Sequence, residues 1–128
     1  MSSMTRRDTM NGFTAISHKK VIFICSPYSG KTEMEQIRNV ALARKYCALA
    51  CSLGFTPFAP HLLYPQFLDN SVTDERDIRI NCGLDILQLC SELWVCGTKV
   101  TDGMKREIQF AKLCDIPVKE VQIDLDIV

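Results

Sequence analysis

Val21-Ile22-Phe23-Ile24-Cys25 is an unbroken run of β-branched, aromatic and small apolar residues. A strand with one wet face alternates apolar and polar side chains, whereas a strand covered on both faces has no need to. The run therefore predicts a strand sandwiched between two layers. Leu93-Trp94-Val95-Cys96 repeats the pattern and is closed by Gly97. Trp94, inside that run, reads as core rather than as a stacking platform.

Helical segments lie between the strands. Glu33 to about Leu53 carries an apolar stripe of Ile37, Val40, Ala41, Cys47, Ala48 and Cys51, and Gly54 is a natural stop. Phe55-Thr56-Pro57-Phe58-Ala59-Pro60 is a weak strand whose two prolines favour a sheet edge. Thr73 is placed to cap a second helix, with Ile78, Ile80, Leu84, Leu87 and Cys90 along one side. Asp102 is placed to cap a third, running to about Leu113, and Ile116-Pro117-Val118 opens a last strand reaching Ile123. Strands alternating with helices predict an α/β fold: a parallel sheet of four to five strands with helices on both faces. Residues 1–18 are polar and without period, and read as a flexible arm before a single domain over 19–128.

Composition narrows the partners. With 15 Lys+Arg against 15 Asp+Glu, the chain has no net positive field for a nucleic-acid polymer. No apolar run approaches the roughly 20 residues of a membrane span, and Met1 to Lys20 has no continuous apolar core of a secretory signal. The seven cysteines include no CxxC and only two histidines accompany them, so no metal site is expected. They read as buried small apolar residues in a reducing, cytoplasmic setting. Cys47 and Cys51, one helical turn apart, fit a helix face turned to the core better than a soft-metal site.

In open parallel sheets, ligands bind beyond the C-terminal strand ends. Three loops lie there: Ser26–Lys31, Pro60–Phe67 and Gly97–Gly103. Ser26-Pro27-Tyr28-Ser29-Gly30-Lys31-Thr32 imitates a Walker phosphate loop. However, Cys25 stands where the motif's first glycine is needed, and Pro27 lacks an N–H. A plain turn, or an open βα loop, accounts for it better. In the open loop Gly30 admits a ligand to the backbone and Tyr28 offers a ring and a hydroxyl. In the second loop, His61 could bond a sugar or protonate a leaving group, or simply be structural; Tyr64 lies beside it.

On the third helix, at about 100° per residue, Met104, Ile108 and Ala111 share the sheet-facing side. Glu107 borders that stripe, Lys105 is intermediate and Arg106 points well away. Glu107 is thus the charge nearest the sheet, placed to attack an electrophilic carbon, to act as a base, or merely to pair with a lysine. Gly103 allows close approach to the helix start, where Thr101 and the backbone N–H groups could take a phosphate.

Three segments together carry a resemblance: the strand ending in Ser-Pro-Tyr-Ser-Gly, then Pro-Phe-Ala-Pro-His with Tyr-Pro-Gln-Phe-Leu, and Glu-Leu-Trp-Val-Cys-Gly followed by Thr-Asp-Gly-Met-Lys-Arg-Glu-Ile. From about Val21 to Val118 the chain resembles the nucleoside 2-deoxyribosyltransferase-like superfamily, above all a branch of small, often phage- or prophage-borne proteins. The resemblance implies a flavodoxin-like Rossmann variant that assembles as a homo-oligomer. It also implies a glutamate that attacks the anomeric carbon of a 2-deoxynucleoside or its 5′-monophosphate, followed by transfer to another base or by hydrolysis. No metal or redox cofactor is then needed. The matching residues are Glu107 as nucleophile, Tyr28 as its positioning partner, and Thr101 at a phosphate-binding position. Asp85 is nearest to the relatives' base-handling aspartate, although its register is off by a residue or two. Ser26, Pro27, Ser29, Gly30, His61, Tyr64, Gly97, Asp102, Gly103 and Met104 complete the expected substrate contacts. Lys105 and Arg106, where relatives carry small or apolar residues, keep open a second reading: capture of a nucleotide-derived ligand without turnover. A P-loop kinase is the weakest alternative.

Overall fold

The computed structural model describes residues 20–123; the arm expected over 1–18 lies outside them. The elements run β1 (Val21–Cys25), α1 (Glu33–Ser52), β2 (Thr56–Phe58), α2 (Pro60–Leu63), a 3₁₀ turn (Tyr64–Gln66), α3 (Thr73–Leu87), β3 (Glu92–Cys96), α4 (Asp102–Leu113) and β4 (Val118–Val121). The four strands form one parallel sheet in the order β2-β1-β3-β4. β2, which carries Pro57, lies at an edge, as expected.

The unbroken apolar strands have a simple cause. Ile22 and Ile24 of β1 pack with Trp94 and Cys96 of β3 against Tyr46 and Ala50 of α1. The alternate residues Phe23 and Cys25 pack with Leu93 and Val95 against Leu87 of α3 and Met104 and Ala111 of α4. Both faces are covered, so neither needs polar residues. Trp94 is core, 6.0 Å edge-on to Phe55. Its indole N–H donates to Glu92 Oε1 at 3.0 Å, and Lys20 and Lys119 hold Glu92 Oε2 at 3.3 and 3.1 Å. The start of β3 is thus clamped by a buried carboxylate.

Several expectations need correction. The core face of α1 is Ala43, Tyr46 and Ala50, not the Ile37–Cys51 stripe; Ile37, Ala41, Ala48 and Cys51 are exposed. Tyr46 decides this, because its phenol accepts the Ile123 N–H at 2.9 Å while its ring fills the space over β1 and β3. Neither expected cap holds. Val72 precedes α3 without a side-chain cap, and Thr101, not Asp102, caps α4. The second loop is not irregular but folds into α2 and a 3₁₀ turn, with prolines at positions that start such turns. Ile78 is exposed, and Cys90 lies beyond the end of α3. The last strand is Val118–Val121, shorter than expected at both ends. Of the seven cysteines, all free, Cys51 and Cys114 are exposed rather than buried.

No helix among the described residues is long and apolar enough to cross a membrane. Among them, no group of three His, Cys, Asp or Glu side chains could hold a metal ion.

Candidate active site

From β1 the chain passes to β2 on one side; after α3 it returns to β3 on the other. The crevice where the direction reverses, past the ends of β1 and β3, is where open α/β sheets place ligands. A cavity of about 280 Å³ lies among the loop after β1, α2, α3 and the first turns of α4.

Each wall is held locally. The Asn39 side chain on α1 donates to the Tyr28 carbonyl at 3.1 Å and fixes the first loop. The Tyr28 ring then stacks on His61, with centroids 5.0 Å apart and planes at 30°. Thr101 caps α4: its hydroxyl oxygen accepts the Met104 N–H at 3.2 Å, and its own N–H donates to Met104 Sδ at 3.4 Å. Met104 is fully buried. It anchors the first turn and leaves Gly103 open, since a Cβ there would meet nothing nearer than Thr101 Oγ1 at 3.9 Å.

Glu107 lines this cavity, and its Oε1 is enclosed without a hydrogen-bond partner among the described residues. Burial raises its pKa from 4.5 to about 7, against the Cys25 thiol and the charges of Arg79 and Arg106, which favour the carboxylate. Cys25, at the end of β1, also donates toward the Met104 carbonyl at 3.8 Å. Its thiol is pushed far up by burial and by Glu107, so it stays protonated as a donor. His61 is pushed down to about 4, by burial and by Arg79, despite a hydrogen bond with the Ser26 backbone. At neutral pH the wall is therefore a neutral imidazole and a carboxyl near half-ionisation.

The structure brings eight of the expected residues around this cavity: Glu107, Tyr28, Ser29, His61, Thr101, Asp102, Gly103 and Met104. Six lie elsewhere. Asp85 sits on the exposed side of α3. Ser26 is wholly buried, with its Oγ unpartnered. Pro27 and Gly97 line a separate crevice toward Tyr46, and Gly97 has φ +87°, as the turn out of β3 requires. Tyr64 is core, packed edge-on to Phe58 at 6.2 Å. Gly30 lies outside this cavity, and packing alone requires it, because a Cβ would fall 2.8 Å from Glu35 Cβ and 2.9 Å from Gln36 N. Of the imitation phosphate loop, Thr32 Oγ1 is engaged in capping α1 by accepting the Glu35 N–H at 3.1 Å.

Two charged cavity residues escape the sequence pattern. Arg79 on α3 lines the cavity and is steadied by Asn70, whose Oδ1 accepts from Nε at 3.2 Å. Arg79 shares a helix row with buried Gly83 and Leu87, and a cation on such a row was the available signal. Arg106, expected to point away, also borders the cavity, which wraps around the first turns of α4.

The family described as a domain of unknown function (DUF7768) matches residues 20–121, and the chain belongs to it. No curated protein matches the chain. Among solved structures, its fold is similar to that of a 2-deoxyribosyltransferase from the psychrotolerant bacterium Bacillus psychrosaccharolyticus. That protein, described as a biocatalyst for the synthesis of nucleosides, is 18% identical, with 84% of this chain and 76% of that one covered and a TM-score of 0.61. The likeness is one of fold.

Proposed function

We propose that this chain cleaves or transfers the N-glycosidic bond of a 2-deoxynucleoside or its 5′-monophosphate, with Glu107 as the nucleophile. The observation that carries the reading is the enclosed, unpartnered carboxyl oxygen of Glu107 in a cavity at the sheet's reversal point. The fold shared with a 2-deoxyribosyltransferase supports it.

The chemistry follows from the residues. As the C1′–N bond lengthens, positive charge grows on the sugar, and a carboxylate at that face stabilises it, as in retaining glycosidases. A Glu107 oxygen then bonds to C1′. The base leaves with the bonding electron pair and takes a proton from solvent. Water, or a second base, attacks C1′ in turn; the ester bond breaks, its electrons return to Glu107, and the attacking group gives up its proton to solvent. A sugar without its 2-hydroxyl ionises more readily, which lets one carboxylate suffice. Tyr28 orients the sugar, and Thr101 with the free N–H groups opening α4 receives a 5′-phosphate. The same reading takes the chain as cytoplasmic, a homo-oligomer, related to the phage-borne branch, and acting on small molecules rather than nucleic-acid polymers or membranes.

One observation favours a second reading, capture without turnover. Asp85 stands outside the cavity and His61 is neutral, so neither residue expected to protonate the departing base is placed and charged to do so.

Incubation with the four deoxynucleosides and their monophosphates, followed by chromatography, decides between them. Release of free base that falls at least ~100-fold in Glu107→Gln supports the enzyme. Tight binding with ligand recovered intact supports capture. Release undiminished in Glu107→Gln overturns the role of Glu107.

A further inference from the structure

A second, wider groove of about 770 Å³ adjoins the cavity, and Tyr28 and Ser29 line both. Its chemistry is of another kind. The cavity sets the guanidinium groups of Arg79 and Arg106 against Asp102 and Glu107, whereas the groove sets Asp69 and Glu75 against Arg76 alone. Both groove acids are already engaged. Glu75 Oε1 accepts the Asp69 N–H at 2.9 Å, and Asp69 Oδ1 accepts from Ser71 N and Oγ at 2.9 and 2.7 Å. An anionic group is therefore better accommodated in the cavity than in the groove.

What the groove offers instead is carboxamides and an aromatic face. Gln36 Nε2 donates to Tyr28 Oη at 3.4 Å and Gln66 Nε2 to the Leu62 carbonyl at 3.4 Å, which leaves both side-chain oxygens as acceptors. Asn70 gives its oxygen to Arg79 and keeps its amide hydrogens as donors. Phe67 is 61% exposed, although its neighbour Tyr64, 5.9 Å away and edge-on, is buried. A largely exposed aromatic ring held against Tyr64, beside side chains that both donate and accept, suits a flat heterocycle with a mixed hydrogen-bonding edge.

We propose that this groove is the subsite for the heterocyclic base of a nucleotide whose sugar crosses at Tyr28 and whose phosphate lies on the Arg79 side. Phe67 supplies the stacking face, and Gln36, Gln66 and Asn70 read the edge of the base. This assignment deepens the glycosidic reading above and rests on it.

The test uses calorimetry on Glu107→Gln protein, in which ligands persist, with deoxyadenosine monophosphate and with 2-deoxyribose 5-phosphate, which lacks a base. The nucleotide is expected to bind at least ~10-fold more tightly than the sugar phosphate, and Phe67→Ala to remove most of that margin. Phe67→Ala is expected to leave affinity for 2-deoxyribose 5-phosphate unchanged, and Gln66→Leu to change the ranking among the four nucleotides. Equal affinity for the two ligands, or a nucleotide margin untouched by Phe67→Ala and a ranking untouched by Gln66→Leu, overturns the subsite. So does a Phe67→Ala effect confined to the sugar phosphate, which would put the phosphate in the groove. Base release by the wild-type protein is followed separately: its absence with the base-dependent margin intact sinks turnover but not the subsite, and its presence without the margin does the reverse.

Discussion

The imidazole of His61 lies against the phenol ring of Tyr28, with centroids 5.0 Å apart, and so joins the loop after β1 to the start of α2. The pair closes one side of the cavity. An aromatic pair contributes about 0.5–1.5 kcal/mol beyond its burial. His61→Ala is expected to lower stability by about 1–2 kcal/mol, read by thermal or denaturant unfolding. Tyr28→Phe keeps the ring but loses the hydroxyl that accepts from Gln36. It should change stability by less than ~1 kcal/mol and lower base release by about 10-fold or more. Equal stability losses in the two variants would contradict this assignment of ring and hydroxyl.

Activity should rise with pH. In the proposed reaction Glu107 attacks as a carboxylate, and its pKa is raised to about 7, so kcat/KM is expected to climb through neutrality and level off above it. Cys25→Ala removes a thiol that favours the carboxylate. The rising limb should then move to higher pH. A limb centred near 4.5 in the wild-type protein would show that Glu107 is solvated.

Stability should show two opposing pH dependences. Glu107 goes from 4.5 to about 7 on folding, so the folded state holds its proton longer, and stability is lost as pH rises across that interval. His61 goes from 6.5 to about 4, so the folded state sheds its proton earlier, and stability is gained as pH rises from 4 to 6.5. Each amounts to about 3 kcal/mol, and where they overlap they nearly cancel. Denaturant midpoints of the wild-type protein should change little between pH 4.5 and 6.5 on account of this pair. Glu107→Gln should gain stability with pH over that range and exceed the wild type at pH 8. A Glu107→Gln profile parallel to that of the wild type would refute the linkage.

Two glycines should behave oppositely. Gly30→Ala forces a methyl group to 2.8 Å from Glu35 Cβ and 2.9 Å from Gln36 N, and a cost of about 1–3 kcal/mol is expected. Gly103→Ala meets nothing nearer than 3.9 Å and sits in a helix, so stability should rise by up to about 1 kcal/mol. Its methyl group would narrow the cavity, and KM should increase. Unfolding curves and steady-state kinetics on both variants check this.

The strands were legible because burial on two faces leaves an unbroken apolar signature, as in Val21–Cys25 and Leu93–Cys96. Glu107 was legible because a carboxylate on the border of the α4 stripe has few places to point. The core face of α1 was not, because its contacts are two alanines and Tyr46, whose hydroxyl finds a partner 77 residues away. The packing demand at Gly30 was not legible, since crowding by Glu35 and Gln36 exists only once the loop folds back on α1. Arg79 was passed over because charged residues on helices are usually solvated; its setting depends on Asn70 and on the packing of α3.

The buried Glu92 clamp sits at the start of β3, whereas the Glu107 carboxyl lies beside Cys25 at the end of β1, the opposite edge of this parallel sheet. None of the clamp's members, Lys20, Glu92, Trp94 and Lys119, lines the cavity. Substitutions in the loops around the cavity can thus reshape it without touching the anchor at the far end of the sheet.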